Sequence, residues 1–82
     1  DPARQPGAHL AWHRRRAGLS HDDVARETKI RPALLRRLEE EEMAGLPAEV
    51  YVRGFVIQVA RLLGLPEPEE LARRYLERIG GD

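Results

Sequence analysis

The stretch that decides the fold spans residues 18–38 and reads GLSHDDVARETKIRPALLRRL. Ser20 is a good N-cap residue, and Asp23 stands three residues later as its capping-box partner, so a short helix is predicted over His21–Thr28. Pro32 then opens a further helix after a turn at residues 29–31, because a proline at the first helical position loses no hydrogen bond. Two helices joined by such a tight turn form a helix-turn-helix unit.

The flanking sequence predicts three more helices and no strand. Apolar residues recur at helical spacing on both sides of the unit, and glycine or proline residues separate the segments. Residues 1–7 are predicted to be a flexible N-terminal lead. The domain itself is predicted over residues 8–80, as a compact all-α fold of five helices. The predicted helices cover residues 8–17, 21–28, 32 to 43 or 44, 47–63 and a last segment that ends at Ile79.

The composition restricts the classes of function. The chain has 82 residues and no cysteine, so it forms one small domain without disulfides or thiolate metal sites. Its apolar runs are far shorter than the roughly 20 residues that a membrane span needs. Net charge is zero, yet residues 4–37 include nine basic and three acidic residues, whereas residues 38–82 include five basic and ten acidic ones. A chain polarised in this way can bind a charged partner with one end, although arginine and glutamate also simply solvate helical surfaces.

A longer series of residues resembles a known family. The most specific part of the series is LPAEVYVRGF at residues 46–55. The series also includes Gly7, Leu10, Arg14, Gly18, Leu19, Ser20, Val24, Ala25, Thr28, Lys29, Ile30, Leu35, Leu38, Glu39, Ala60, Leu63, Gly64 and Leu65. It resembles the N-terminal cytoplasmic domain of the RodZ family of bacterial cell-shape proteins.

The resemblance implies a fold, a partner and a location. It implies a helix-turn-helix domain of the repressor-like type whose arginine on the first helix, here Arg14, pairs with a glutamate late in the third, here Glu39. In this family the domain docks onto MreB, the bacterial actin, and a later transmembrane segment links the filament to the membrane. Two aromatic residues one turn apart on the fourth helix make the contact, and their positions match Tyr51 and Phe55. We therefore expect a cytoplasmic protein-interaction module that binds MreB or another cytoskeletal or polarity protein.

The fourth predicted helix carries more apolar surface than one buried face requires. Val52, Val56, Val59 and Leu63 form one stripe, and a second stripe of Tyr51, Phe55 and Leu62, with Gln58 inside it, lies beside the first. A surface helix needs a single apolar stripe roughly 100° wide. Either this is the central helix of the domain, or its second stripe is a docking face with Arg53 and Gln58 at the rim.

Several positions depart from the family pattern, among them His13, which replaces a small residue, and Val59, which replaces a usual tyrosine. Glu41 stands where the family usually has a glycine after the third helix, and it extends an acidic run over residues 39–42. Ile57 replaces a usual arginine, and Trp12 occupies a position that is normally polar. An exposed Trp12 and an additional apolar Ile57 would suit a different protein partner or a self-contact.

DNA binding is the alternative function. Arg31, Arg36 and Arg37 lie at the start and on the outer face of the helix that would read bases, and arginine is the commonest reader of guanine. Three features oppose this interpretation. Asn, Gln, Ser and Thr are nearly absent from this helix, the acidic run at residues 39–42 would repel phosphates, and the pI is only about 7.1.

Catalysis and metal binding are not predicted. The single serine, Ser20, is used as a helix cap, there is no cysteine nucleophile, and no glycine-rich phosphate loop is present. His9 and His13 are four residues apart on one helix, but no carboxylate of that helix completes a metal site. We therefore expect a protein that is not an enzyme and that has no cofactor and no metal.

Overall fold

The computed structural model describes residues 5–80 and contains five α-helices and no strand in that range. The helices are α1 (Pro6–Arg16), α2 (His21–Thr28), α3 (Pro32–Glu40), α4 (Glu49–Leu62) and α5 (Pro68–Ile79). The expected all-α, five-helix architecture is thereby confirmed. Residues 1–4, the larger part of the predicted lead, lie outside the described residues.

The helix-turn-helix unit of α2 and α3 forms through local hydrogen bonds. The Ser20 hydroxyl accepts from the Asp23 backbone N–H at 3.0 Å, and the Asp23 carboxylate accepts from the Ser20 N–H at 2.9 Å. These bonds lower the pKa of Asp23 and fix the start of α2 as predicted. The helix ends at Thr28, because Lys29 after it takes the left-handed conformation with a φ of 64°. The Thr28 hydroxyl donates to the Val24 carbonyl at 2.8 Å and accepts from the Ile30 N–H at 3.2 Å.

Three helix boundaries differ from the sequence prediction by two residues or more. α1 begins at Pro6 rather than at Ala8, because Pro6 suits the first helical position and Gly7 allows the close packing described below. α4 begins at Glu49, so Pro47 belongs to the preceding loop. α3 ends at Glu40 and not at Met43 or Ala44.

Glu41 is the physical reason why α3 ends early. Its φ of 56° places it in the left-handed conformation that usually requires glycine. The side chain offsets this strain through two long-range hydrogen bonds, accepting from the Gly7 N–H at 2.9 Å and from Arg78 Nε at 2.8 Å. The departure from the family's glycine therefore fastens the end of α3 to both α1 and α5.

The core lies between α4 and the other helices. Val52, Val56 and Tyr75 are fully buried, and the Tyr75 hydroxyl donates to the Leu38 carbonyl at 2.6 Å, which joins α5 to the end of α3. Burial raises the pKa of Tyr75. Ile57 is only 8% exposed and belongs to the same core, so the prediction that it suits a partner was wrong.

The predicted link between α1 and α3 is confirmed. Arg14 donates from Nε and Nη2 to the Glu39 carboxylate at 2.6 and 3.1 Å, and from Nη1 to the Leu19 carbonyl at 2.8 Å. His21 Nε2 lies 2.9 Å from the same carboxylate, a contact that the sequence did not predict. The pair is nearly buried, since each side chain is about 10% exposed. It therefore ties α1, the start of α2 and α3 together.

Candidate functional site

The second apolar stripe of α4 reaches the surface, as its sequence position allowed. Tyr51 is 62% exposed, Phe55 is half-buried one turn later, and Leu62 is exposed near the end of the helix. Gln58 is also exposed and lies between Phe55 and Leu62 on the same side. Arg53 is exposed as well, but it lies about 200° around the helix from Tyr51 and does not belong to this face.

Phe55 also borders a groove of about 500 Å³ between the start of α3 and α4. This volume is within the range of ~300–1,000 Å³ that is typical of ligand sites. The loop that joins α3 to α4 contributes Gly45, Leu46 and Pro47 to the lining of the groove. The apolar lining consists of Ile30, Ala33, Leu34, Leu46, Pro47 and Phe55.

Three cations surround this apolar lining: Lys29, Arg31 and Arg37. Lys29 and Arg31 are exposed and form no ion pair with any residue in the described range 5–80. Arg37 is half-buried, because its side chain packs against Gly45 and its Nε lies 4.0 Å from the Glu42 carboxylate. The groove thus brings together residues from two alternative predictions. Phe55 was expected to dock a protein, whereas Arg31 and Arg37 were expected to bind DNA.

Arg36 does not belong to the groove. It is exposed on another side of α3 and lines a shallow depression of about 220 Å³ with Arg15 and His21. Glu39 and Glu40 line the same depression. The three arginines proposed for DNA binding therefore occupy two separate surfaces.

The acidic run at residues 39–42 is not a uniform negative surface. The Glu39 carboxylate is hydrogen-bonded to Arg14 and His21. The Glu41 carboxylate accepts hydrogen bonds from the Gly7 N–H and from Arg78. Only Glu40 and Glu42 are exposed. The four carboxylates therefore do not form the continuous phosphate-repelling surface that the sequence predicted.

The surface of α1 carries the other aromatic group that the sequence singled out. Trp12 is 43% exposed, as expected, and the Arg16 guanidinium lies 4.9 Å from its ring centre. His9 and His13 are in edge-to-face contact with ring centres 4.6 Å apart. Burial and the nearby charges of His13 and Arg74 lower the pKa of His9. No group of three or more candidate metal ligands occurs among residues 5–80.

Within the part of the chain that the structure describes, none of the helices has both the length and the apolar character that crossing a bilayer requires.

Comparison with known proteins agrees with this geometry. A family model described as a helix-turn-helix domain matches residues 9–71. An uncharacterized protein of Haemophilus influenzae is 38% identical over 64 residues, which are 76% of this chain and 21% of that protein. The chain thus spans about a fifth of the length of this relative. No solved structure matches significantly. Since the family model covers well over half of the chain, including the capped unit of α2 and α3, this protein belongs to the helix-turn-helix domain family.

Proposed function

We propose that this domain is a protein-interaction module that docks onto MreB-like actin filaments, or onto a related cytoskeletal or polarity protein, through the exposed side of α4. The observation that carries the proposal is the pair of Tyr51 and Phe55, one turn apart, with one ring in solvent and the other at the edge of an apolar groove. The RodZ resemblance supplies the identity of the partner. The proposal requires a cytoplasmic location and involves no catalysis.

The exposure of Tyr51 supports a binding role rather than a core role. A ring that the fold leaves 62% exposed contributes little to folding, but it can bury much of its area against a partner. Tyrosine is enriched among the residues that dominate interface energies, and each such residue contributes about 2 kcal/mol or more. Phe55, beside it, is positioned to extend the same contact.

Co-sedimentation with MreB filaments tests this proposal. We expect the domain to pellet with the filaments and the Tyr51→Ala/Phe55→Ala variant to bind at least about 100-fold more weakly, since two hot-spot residues are removed. Arg53→Ala is the matched control, because Arg53 is exposed on another side of the same helix. Circular dichroism establishes that each variant remains helical. Failure of the wild-type domain to pellet, or equal pelleting of the double variant, would contradict the proposal.

DNA binding is a second candidate, because a different observation favours it. Arg31 is exposed just before α3, Arg36 is exposed on α3, and Arg15 and Arg16 are exposed on α1, so several exposed arginines lie on or beside the helix-turn-helix unit. Arg36→Ala/Arg37→Ala should then weaken binding to duplex DNA, and the affinity should fall steeply as salt increases. Absence of DNA binding at low salt would exclude this candidate.

A further inference from the structure

The groove between α3 and α4 has two chemical features that require explanation together. Its lining contains six apolar residues, and its edge carries Lys29 and Arg31 without ion-pair partners in the described chain. None of the lining residues is acidic. A patch that only solvates the domain would not need the apolar lining, and a purely hydrophobic contact would not need unpaired cations.

We propose that this groove binds a short acidic segment of the partner protein, with apolar side chains against Leu34, Leu46 and Phe55 and carboxylates beside Lys29 and Arg31. This inference rests on the proposed docking function and adds the chemistry of the segment that the domain recognises. The volume of about 500 Å³ suits a few side chains rather than a whole domain.

Charge complementarity favours an acidic segment of another protein over α5 of a second copy of this chain. The carboxylates of α5 are already neutralised within the domain, because Arg73 donates to both Glu70 and Glu77. Glu69 is likewise paired with Arg61, at 3.3 Å. Docking of α5 into the groove of another copy would have to break these pairs, whereas a foreign acidic segment would not.

The apolar lining favours a peptide over DNA. Phosphates could approach Lys29 and Arg31, but the deoxyribose-phosphate backbone has no large apolar groups to place against Leu34 and Phe55. The third cation at the groove, Arg37, is also partly neutralised by Glu42 at 4.0 Å. An acidic segment with leucine or phenylalanine side chains would place apolar groups against the lining and carboxylates beside the cations at the edge.

Fluorescence anisotropy with labelled peptides of about 12 residues tests the inference. The probe contains leucine, phenylalanine and glutamate, and two control peptides replace either every glutamate by glutamine or every apolar residue by serine. We expect the acidic apolar probe to bind, both controls to bind more weakly, and Lys29→Glu/Arg31→Glu to reduce its affinity by roughly tenfold or more. The variant Arg53→Glu/Arg61→Glu changes the charge by the same amount outside the groove and should bind as the wild type does. NMR shifts should concentrate at Leu34, Gly45 and Phe55.

The outcomes separate this inference from the proposed function. Filament pelleting without binding of the acidic probe would overturn the inference and leave the docking function standing. Probe binding without filament pelleting would support the groove chemistry and contradict MreB as the partner. Equal binding of the glutamine control would refute the role of charge. NMR shifts at the groove with a short DNA duplex but not with the peptide would overturn the inference in favour of DNA. Dimerisation through the groove, measured by sedimentation, would overturn it in favour of a second copy.

Discussion

Breaking the Arg14–Glu39 pair should destabilise the domain by an amount that its geometry sets. The Glu39 carboxylate accepts from Arg14 at 2.6 and 3.1 Å, and each side chain is about 10% exposed. Removing one partner of a buried pair costs about 3–5 kcal/mol, and the residual exposure places this pair at about 2–3 kcal/mol. A domain of this size has a free energy of unfolding of only about 4–12 kcal/mol, so the loss is a large part of the total.

A double-mutant cycle measures this interaction. Arg14→Met and Glu39→Met should each lower the free energy of unfolding by about 2–3 kcal/mol in urea titrations followed by circular dichroism. The double variant should lose clearly less than the sum, with a coupling energy of about 1.5–3 kcal/mol, because it leaves no unpaired charge on either residue. A coupling energy below about 0.5 kcal/mol would refute the reasoning, since the pair would then behave like an exposed surface pair.

Three further predictions concern the stability of the fold and use the same urea titration. Glu41→Ala should lower the free energy of unfolding by about 1–2 kcal/mol, since it removes two hydrogen bonds and keeps the left-handed backbone. Glu41→Gly should lower it less, because glycine relieves about 1 kcal/mol of backbone strain. Equal losses in the two variants would contradict this account of the end of α3. Gly54→Ala should stabilise the domain by about 0.5–1 kcal/mol, because nothing lies within 4 Å of the added carbon. Gly7→Ala should destabilise it by about 1–3 kcal/mol or more, because the added carbon would lie 2.5 Å from the Glu39 carbonyl oxygen. The reverse order would contradict the close packing of α1 on α3. Tyr75→Phe should lose about 1–2 kcal/mol. Burial raises the pKa of Tyr75 in the folded state, so the protonated hydroxyl contributes its full stabilisation below the unfolded-state pKa of about 10. This stabilisation is lost as the pH rises toward the folded-state pKa. If Tyr75→Phe lost as much stability at alkaline pH as the wild type does, this assignment would be contradicted.

Local signals in the sequence predicted the helix-turn-helix unit well. The limits of α2 follow from hydrogen bonds between residues close in sequence, namely those of Ser20 with Asp23 and of Thr28 with Val24 and Ile30. Gly18 and Gly64, two of the glycines that separate the predicted helices, adopt positive φ values of 74° and 72°. Such features depend on a few neighbouring residues and can be predicted from the sequence.

Long-range contacts determine what local signals missed. The end of α3 depends on Glu41, whose two partners, Gly7 and Arg78, lie at opposite ends of the chain. A run of four glutamates therefore looked like a continuous acidic surface, although the fold uses two of them as internal acceptors. Ile57 was expected to suit a partner or a self-contact, because the sequence does not show that the fold buries this side chain.

The candidate site was likewise predictable only where it depends on local helix geometry and not on long-range contacts. The helical repeat of residues 51, 55, 58 and 62 predicted that they share one side of α4, but it left open whether other helices cover that side. The same repeat places Arg53 on another side of the helix, although it was expected at the rim of the stripe. The groove could not be predicted, because it forms where the loop after α3 brings Leu46 and Pro47 to the start of α3 beside Phe55. Only the folded chain shows that Arg31 and Arg37 lie beside Phe55 while Arg36 does not.

Site-specific photo-crosslinking to MreB filaments tests the central claim most directly. A benzophenone amino acid is placed at position 51, on the exposed stripe, or at position 53, on the other side of the same helix. The account predicts a domain–MreB crosslink from position 51 and none from position 53 under the same illumination. Equal crosslinking from both positions, or none from position 51, would contradict docking through this face of α4.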